Sequence, residues 1–213
     1  MILSLLFEQP ILFIAWVAAI IIAITIHEFS HALAGTWQGD MTAKSQGRLT
    51  LNPFSHLSGI GFLMLLLVGF GWGKPVPFNP YNLKNKRWGP ALISLAGPAS
   101  NLIMAAVAGG ILKTLIYFNL LSPENLLIQF LNLLVIINVI LMVFNLIPIP
   151  PLDGSKLLFS ILHAPKYNNI KMWLAVRGPL VLMGLIFLDF ILNVNIFSGL
   201  FSLVINGVFR LLF

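Results

Sequence analysis

With 213 residues, 8% of them charged, and a mean hydropathy of +0.98, this chain lies far from soluble globular composition, where about a quarter of residues are charged. The formal charge of +6 fits a negatively charged membrane leaflet better than nucleic acid, and with no Arg-rich groove or aromatic–basic interleaving no nucleic-acid partner is expected. Cysteine is absent, so a disulfide framework and thiolate metal ligands are excluded.

The expectation is one membrane domain over residues 1–213, with a core at about 10–163 and accessory C-terminal helices at about 171–213. Residues 1–9 form a short apolar lead with Glu8 and no basic residue, unlike a cleavable signal peptide. The first spanning segment runs from about Pro10 to Ala34, with proline opening it and Gly35 and Gly39 ending it. At roughly 20 residues or more it is long enough to cross a bilayer. Within its last two turns lies Ile26-His27-Glu28-Phe29-Ser30-His31. Residues four apart share a helix face, so both imidazoles project together and Glu28 borders them. The chain has only four histidines and six acidic residues, so this grouping is a strong pointer to a zinc site with an adjacent glutamate for proton transfer.

Residues 36–57 are polar, and Arg48-Leu49-Thr50-Leu51-Asn52-Pro53 alternates as a strand would before proline stops it. Ile60 to Phe70 is apolar but only about half a crossing in length. Gly71 to Pro80, with prolines at 75, 77 and 80, suits an extended edge segment. Basic residues flank this stretch on both sides, with Lys44 and Arg48 before it and Lys74, Lys84, Lys86 and Arg87 after it. If both flanks are cytoplasmic, residues 58–72 re-enter rather than cross, and irregular backbone at that depth points to a covered or wet site.

A second segment spans about Pro90 to Phe118, bent near Gly97-Pro98-Ala99-Ser100-Asn101. The loop to Asn125 carries Glu124 and no basic residue and reads as the outer side. A third segment, about Leu126 to Ile147, contains Asn132, Asn138 and Asn145 and ends in Pro148-Ile149-Pro150-Pro151-Leu152-Asp153-Gly154. A short helix at 155–163 follows, and then one or two hydrophobic helices between Pro179 and Phe213, parted near Asn193 to Gly199. The fold class is therefore an all-α polytopic membrane protein of about five to six membrane helices with a small re-entrant β element.

A catalytic zinc site takes three protein ligands and leaves one position for water. Asp153 is the best third ligand, because it follows a spanning segment and falls at the same membrane depth as the two histidines. It could instead cap the helix that follows. His56 is a competing ligand, while His163 reads as a surface residue. With His27, His31 and Asp153 on zinc, a water of lowered pKa becomes a nucleophile, and Glu28 takes its proton. Asn101 and Asn145 could stabilise the oxyanion or bond between helices. Asp189 has no role in this scheme.

His27-Glu28-x-x-His31, Gly97-Pro98-x-x-Asn101 and Asn145-x-x-Pro148-x-Pro150-x-x-Asp153-Gly154 together resemble the site-2 protease family of intramembrane zinc metalloproteases. Arg48-Leu49-Thr50-Leu51-Asn52-Pro53 and Gly73-Lys74-Pro75-Val76-Pro77 resemble its small bacterial and archaeal branch, with no room here for a PDZ or nucleotide-sensing domain. The resemblance implies zinc ligands at His27, His31 and Asp153, a catalytic Glu28, and cleavage of transmembrane helices within or near the bilayer. The expected substrates are single-pass transmembrane proteins, and the charge pattern puts the site near the cytoplasmic side of the cell membrane. A substrate helix must unwind before its amides are reachable, and an exposed edge at Lys74 and Val76 could hold it by strand addition. Two other classes compete. A divalent-metal transporter would spread polar groups through the membrane depth, often in repeated halves. An inactive membrane scaffold would have no need of all three ligands and the glutamate.

Overall fold

The computed structural model describes residues 2–192 and 195–212. The described residues are mostly α-helical: α1 (Ile2–Glu8), α2 (Pro10–Trp37), α3 (Thr42–Ser45), α4 (Gly59–Val68), α5 (Gly89–Tyr117), α6 (Leu126–Asn145), α7 (Gly154–Ile161), α8 (Asn168–Leu192) and α9 (Ile196–Leu212). Four helical runs are long and apolar enough to cross a membrane: α2, α5, α6 and Pro165–Asp189, most of which is α8. Two shorter apolar helices, α4 and α9, accompany them. These features make an all-α, multi-pass membrane protein. The expected parting of the last two helices begins at Asn193, which lies outside the described residues.

Three helices build the core, and their sequences show why. Buried residues of α2 fall at Ala19, Ala23, His27 and His31, a four-residue repeat that keeps them on one face. On α5 the buried stripe is Ser94, Gly97, Asn101, Ala105, Ala108 and Leu112, again at three- and four-residue steps. The alanines let the two backbones approach closely, as small residues do between membrane helices. Leu131, Leu134, Val135, Asn138 and Val139 of α6 close the third side. His27 meets Asn101 while His31 meets Ile93, so α2 and α5 run antiparallel and the polar ends of their stripes coincide. The polar centre therefore sits at one end of an apolar three-helix core.

Some boundaries differ from expectation. Gly35 does not end α2, which continues to Trp37. A single glycine costs a helix only about 1 kcal/mol, and the stop comes at Gly39, whose φ of +95° breaks the right-handed course. Pro98 lies inside α5, so the Gly97–Asn101 stretch does not break the helix. Residues 48–52 form no strand, and the isolated antiparallel bridge Leu57–Gly73 is the pairing found among the described residues. Prolines at 53, 75, 77 and 80 each remove a backbone donor, which limits any ladder here.

The loops are nonetheless tied down. The Asp40 carboxylate, 1% exposed, accepts from the Asn79 backbone N–H at 2.6 Å, the Thr42 hydroxyl at 2.6 Å and the Asn82 amide at 3.0 Å. Burial alone would raise its pKa, but these donors overcome it and hold the carboxyl below its ordinary value. This junction fixes the end of α2 to the segment before α5. Asp189 also finds a structural task, accepting from the Ile196 N–H at 2.7 Å and so capping the start of α9.

Candidate metal centre

Two elements supply the histidines and their restraint. His27 and His31 project from α2, and each ring is held through Nδ1 by a group on α5. His27 Nδ1 lies 2.6 Å from Asn101 Oδ1, and His31 Nδ1 lies 2.7 Å from the Ile93 carbonyl. The Asp153 carboxylate arrives from the turn after α6, with Oδ2 at 3.2 Å from His27 Nε2 and 3.1 Å from His31 Nε2. The two Nε2 atoms are themselves 3.0 Å apart. All three side chains are buried, and this is the one potential metal-binding group of three among the described residues.

Hydrogen-bond logic fixes the protons. The Leu134 carbonyl can only accept, so Asn138 donates to it through Nδ2 at 2.8 Å and turns Oδ1 outward. Asn101 therefore presents Nδ2 to that oxygen, at 2.7 Å, and Oδ1 to His27. An amide oxygen accepts, so His27 carries its proton on Nδ1 and leaves a lone pair on Nε2. The Ile93 carbonyl imposes the same tautomer on His31. Two imidazole lone pairs and a carboxylate oxygen thus converge within about 3 Å, each without a proton to share. A cation resolves that repulsion, and neutral nitrogen donors with one carboxylate oxygen suit zinc. The carbonyl and amide partners behind the rings are the usual outer support of metal-bound histidines.

Gly97 leaves the space. A Cβ there would stand 2.5 Å from His31 Nε2 and 2.6 Å from His27 Cε1, on the converging donors themselves. Only a residue without a side chain fits. Ser94 Oγ and Lys156 Nζ each donate to the other Asp153 oxygen, Oδ1, at 3.3 Å, leaving Oδ2 to the histidines. Asp153 opens α7 but makes no capping hydrogen bond, since its side chain is turned to the rings.

Glu28 lies beside His27 on α2, partly buried, within electrostatic reach of Asp153, Arg48 and Lys156. Its Oε1 is 3.3 Å from where a Cβ on Gly73 would sit, so the extended segment after α4 passes directly over it. That segment is anchored from one side. Lys74 N–H donates to the His56 carbonyl at 2.7 Å, and the Lys74 carbonyl accepts from buried Arg48. Among the described residues, the Val76 backbone makes no hydrogen bond.

The other sequence candidates are placed as follows. His56 is fully buried but stands apart from the donor group, its Nε2–H donating to the Thr50 carbonyl at 2.8 Å. Burial, with Arg48 nearby, keeps its pKa below the ordinary histidine value. Asn101 sits behind His27 with its amide taken up by His27 and Asn138, instead of facing an open position for a carbonyl. Asn145 bonds back to its own helix at the Leu141 carbonyl, 3.0 Å away. His163 is exposed, as expected. Asn138 and Ser94 are additions that sequence reasoning did not assign; their register with Val135 on α6 and with Gly97 on α5 is the signal that marks them.

Residues 115–185 match the family described as Peptidase family M50. The chain is 41% identical over 145 residues to a Bacillus subtilis protein named "Putative zinc metalloprotease YwhC", covering 67% of this chain and 66% of that protein. It is 32% identical over 152 residues to a Mycolicibacterium smegmatis protein, and 31% identical over 148 residues to a Mycobacterium tuberculosis protein, both named "Putative zinc metalloprotease Rip2". The chain spans 55% of the length of each of these two relatives. No solved structure matches the chain.

Proposed function

The chain belongs to the site-2 protease family, peptidase family M50, and from that premise we propose that it is an intramembrane zinc endopeptidase that cleaves transmembrane protein substrates. The observation that carries the reading is the convergence of three lone-pair donors beside a glutamate, at one end of an apolar helix core. His27, His31 and Asp153 would hold the zinc. Bound there, zinc supplies Lewis acidity and lowers the pKa of a water towards 7.

The remaining work falls to the chain. Glu28 accepts the water proton at its carboxylate and returns it to the leaving amine nitrogen, so one carboxylate serves as base and then acid. Asn101 acts through His27, keeping the ring in the tautomer that offers Nε2. Asn145, placed in sequence near a scissile carbonyl, is a weaker candidate because its amide already bonds within α6. Both backbone groups of Lys74 are taken up, by His56 and Arg48, so of the two residues read as a pairing edge Val76, with its backbone groups unspent, supports strand addition by the unwound substrate and Lys74 acts as its anchor. Residues 58–72 re-enter the membrane in this reading, since α4 has only 10 residues and basic residues flank it on both sides. The same charge pattern supports a site on the cytoplasmic side of the cell membrane.

The test uses Glu28→Gln in the full chain. Wild type should cleave a single-spanning substrate, and the variant should lose at least about 100-fold in rate while retaining equimolar zinc. Equal cleavage by the variant would remove Glu28 from the chemistry. Zinc transport into proteoliposomes without proteolysis would favour the transporter class.

A further inference from the structure

An apolar cavity of about 320 Å³ lies between α2, α4 and α6. Trp16 and Ile24 wall it on α2, Phe62 and Leu65 on α4, Trp72 on the following segment and Ile140 on α6. Ile24 is one turn before Glu28 and shares its face of α2. Both also converge on Gly73: a Cβ there would lie 3.3 Å from Glu28 Oε1 and 3.5 Å from Ile24 Cγ2. The cavity wall and the carboxylate are therefore neighbours across a single residue of the extended segment.

We propose that this cavity is a specificity subsite that receives the apolar side chain of a substrate residue next to the scissile bond. The inference rests on the protease reading above and adds the determinant of which sequences are cleaved. Three observations favour a side chain over other occupants. The cavity adjoins the carboxylate through Ile24 and Gly73, so a side chain entering it would lie next to the site of cleavage. The lining carries no charged residue, which suits the residues of a membrane-spanning substrate and not a polar loop. The wall is also shaped by backbone contact: Gly61 and Gly71 pack so tightly against Trp72 and Leu65 that a Cβ on either would clash. This fixes α4 against the segment over Glu28. A substrate strand laid along Val76 alternates its side chains, so one of them can point into the cavity while the next points away.

The experiment uses detergent-solubilised full chain and a panel of single-spanning model substrates with Gly, Ala, Leu, Phe or Trp at the residue flanking the cleaved bond. Phe62→Ala enlarges the cavity and Ile140→Trp fills it, and neither residue touches the metal ligands or Glu28. Expected is a crossover in kcat/KM: Phe62→Ala shifts preference towards Phe and Trp, Ile140→Trp towards Gly and Ala, each by about 10-fold or more, at unchanged zinc content. A second readout is independent of catalysis. A benzoylphenylalanine at the same substrate position, presented to Glu28→Gln, should crosslink to Phe62, Leu65 or Ile140. A common scaling of all substrates, or adducts confined to other residues, would overturn the subsite. If wild type cleaves nothing, the protease reading fails, and the crosslink map alone then decides whether the cavity takes an apolar side chain.

Discussion

Replacing Asn138 by leucine should weaken zinc binding although Asn138 touches no donor atom. In the wild type, Asn138 sets Asn101 by accepting its amide N–H at 2.7 Å, and Asn101 sets His27 at 2.6 Å. Leucine is of similar size and leaves the Leu134 carbonyl in its ordinary helical bond, so α6 itself should hold. What it removes is the acceptor for the Asn101 Nδ2, whose only other acceptor is the Ala23 carbonyl at 3.4 Å. A buried amide left short of its partner costs about 1–3 kcal/mol. Without that acceptor nothing fixes the Asn101 amide in its present orientation, and the flipped amide turns a donor towards His27 and moves the ring proton to Nε2, where the metal belongs. Loss of such an outer support lowers metal affinity by about 10- to 100-fold, and the two figures agree, since a factor of ten is 1.4 kcal/mol. Zinc affinity measured by chelator competition on purified protein, with helicity checked by circular dichroism, tests this. Asn138→Asp should restore affinity, because a protonated carboxyl accepts from Asn101 and donates to Leu134 as the amide does. Wild-type zinc affinity in Asn138→Leu would refute the relay.

Gly97→Ala should abolish stoichiometric zinc, because its Cβ would fall 2.5 Å from His31 Nε2; metal analysis of the folded variant checks it. Val76→Asp should impair cleavage while leaving zinc bound, since it alters the edge and not the donors, and unchanged cleavage would count against strand addition. Asp40→Ala should lower the thermal midpoint by several degrees, because it strands the Asn79 N–H and the Asn82 amide in a site 1% exposed. The sign of its pH dependence follows from a folded-state pKa held below the unfolded one. The contribution is complete above the ordinary aspartate value of about 3.9 and is lost as pH falls further. Melting curves from pH 5 to 3 should therefore show a steeper decline in wild type than in Asp40→Asn.

The three candidate ligands were legible because they are costly where they stand. Two histidines one turn apart in an apolar helix demand a purpose, and Asp153 after a proline-rich turn falls at the same depth. Gly97 and Asn101 were visible as a motif, but their tasks were not: the glycine clears space at the donors, and the asparagine orients a ring from behind. Asn138 was less visible still, because an asparagine in a membrane helix has the same signature whether it joins two helices or fixes a tautomer. Only its register on α6, facing Asn101, separates the two. The loops misled for a different reason. Alternation over residues 48–52 resembles a strand, yet Pro53 after it and the burial of Arg48 turn the segment into a brace for Lys74. Asp189 had no partner in sequence terms because its partners are backbone N–H groups of the next helix.

X-ray absorption spectroscopy at the zinc edge, on the purified full chain, reads the proposed ligands themselves. Expected is one zinc per chain bound by two imidazole nitrogens and carboxylate or water oxygens, with altered coordination or lost metal in Asp153→Ala. A chain that takes up no zinc, or one whose zinc shell is indifferent to Asp153, would contradict this coordination.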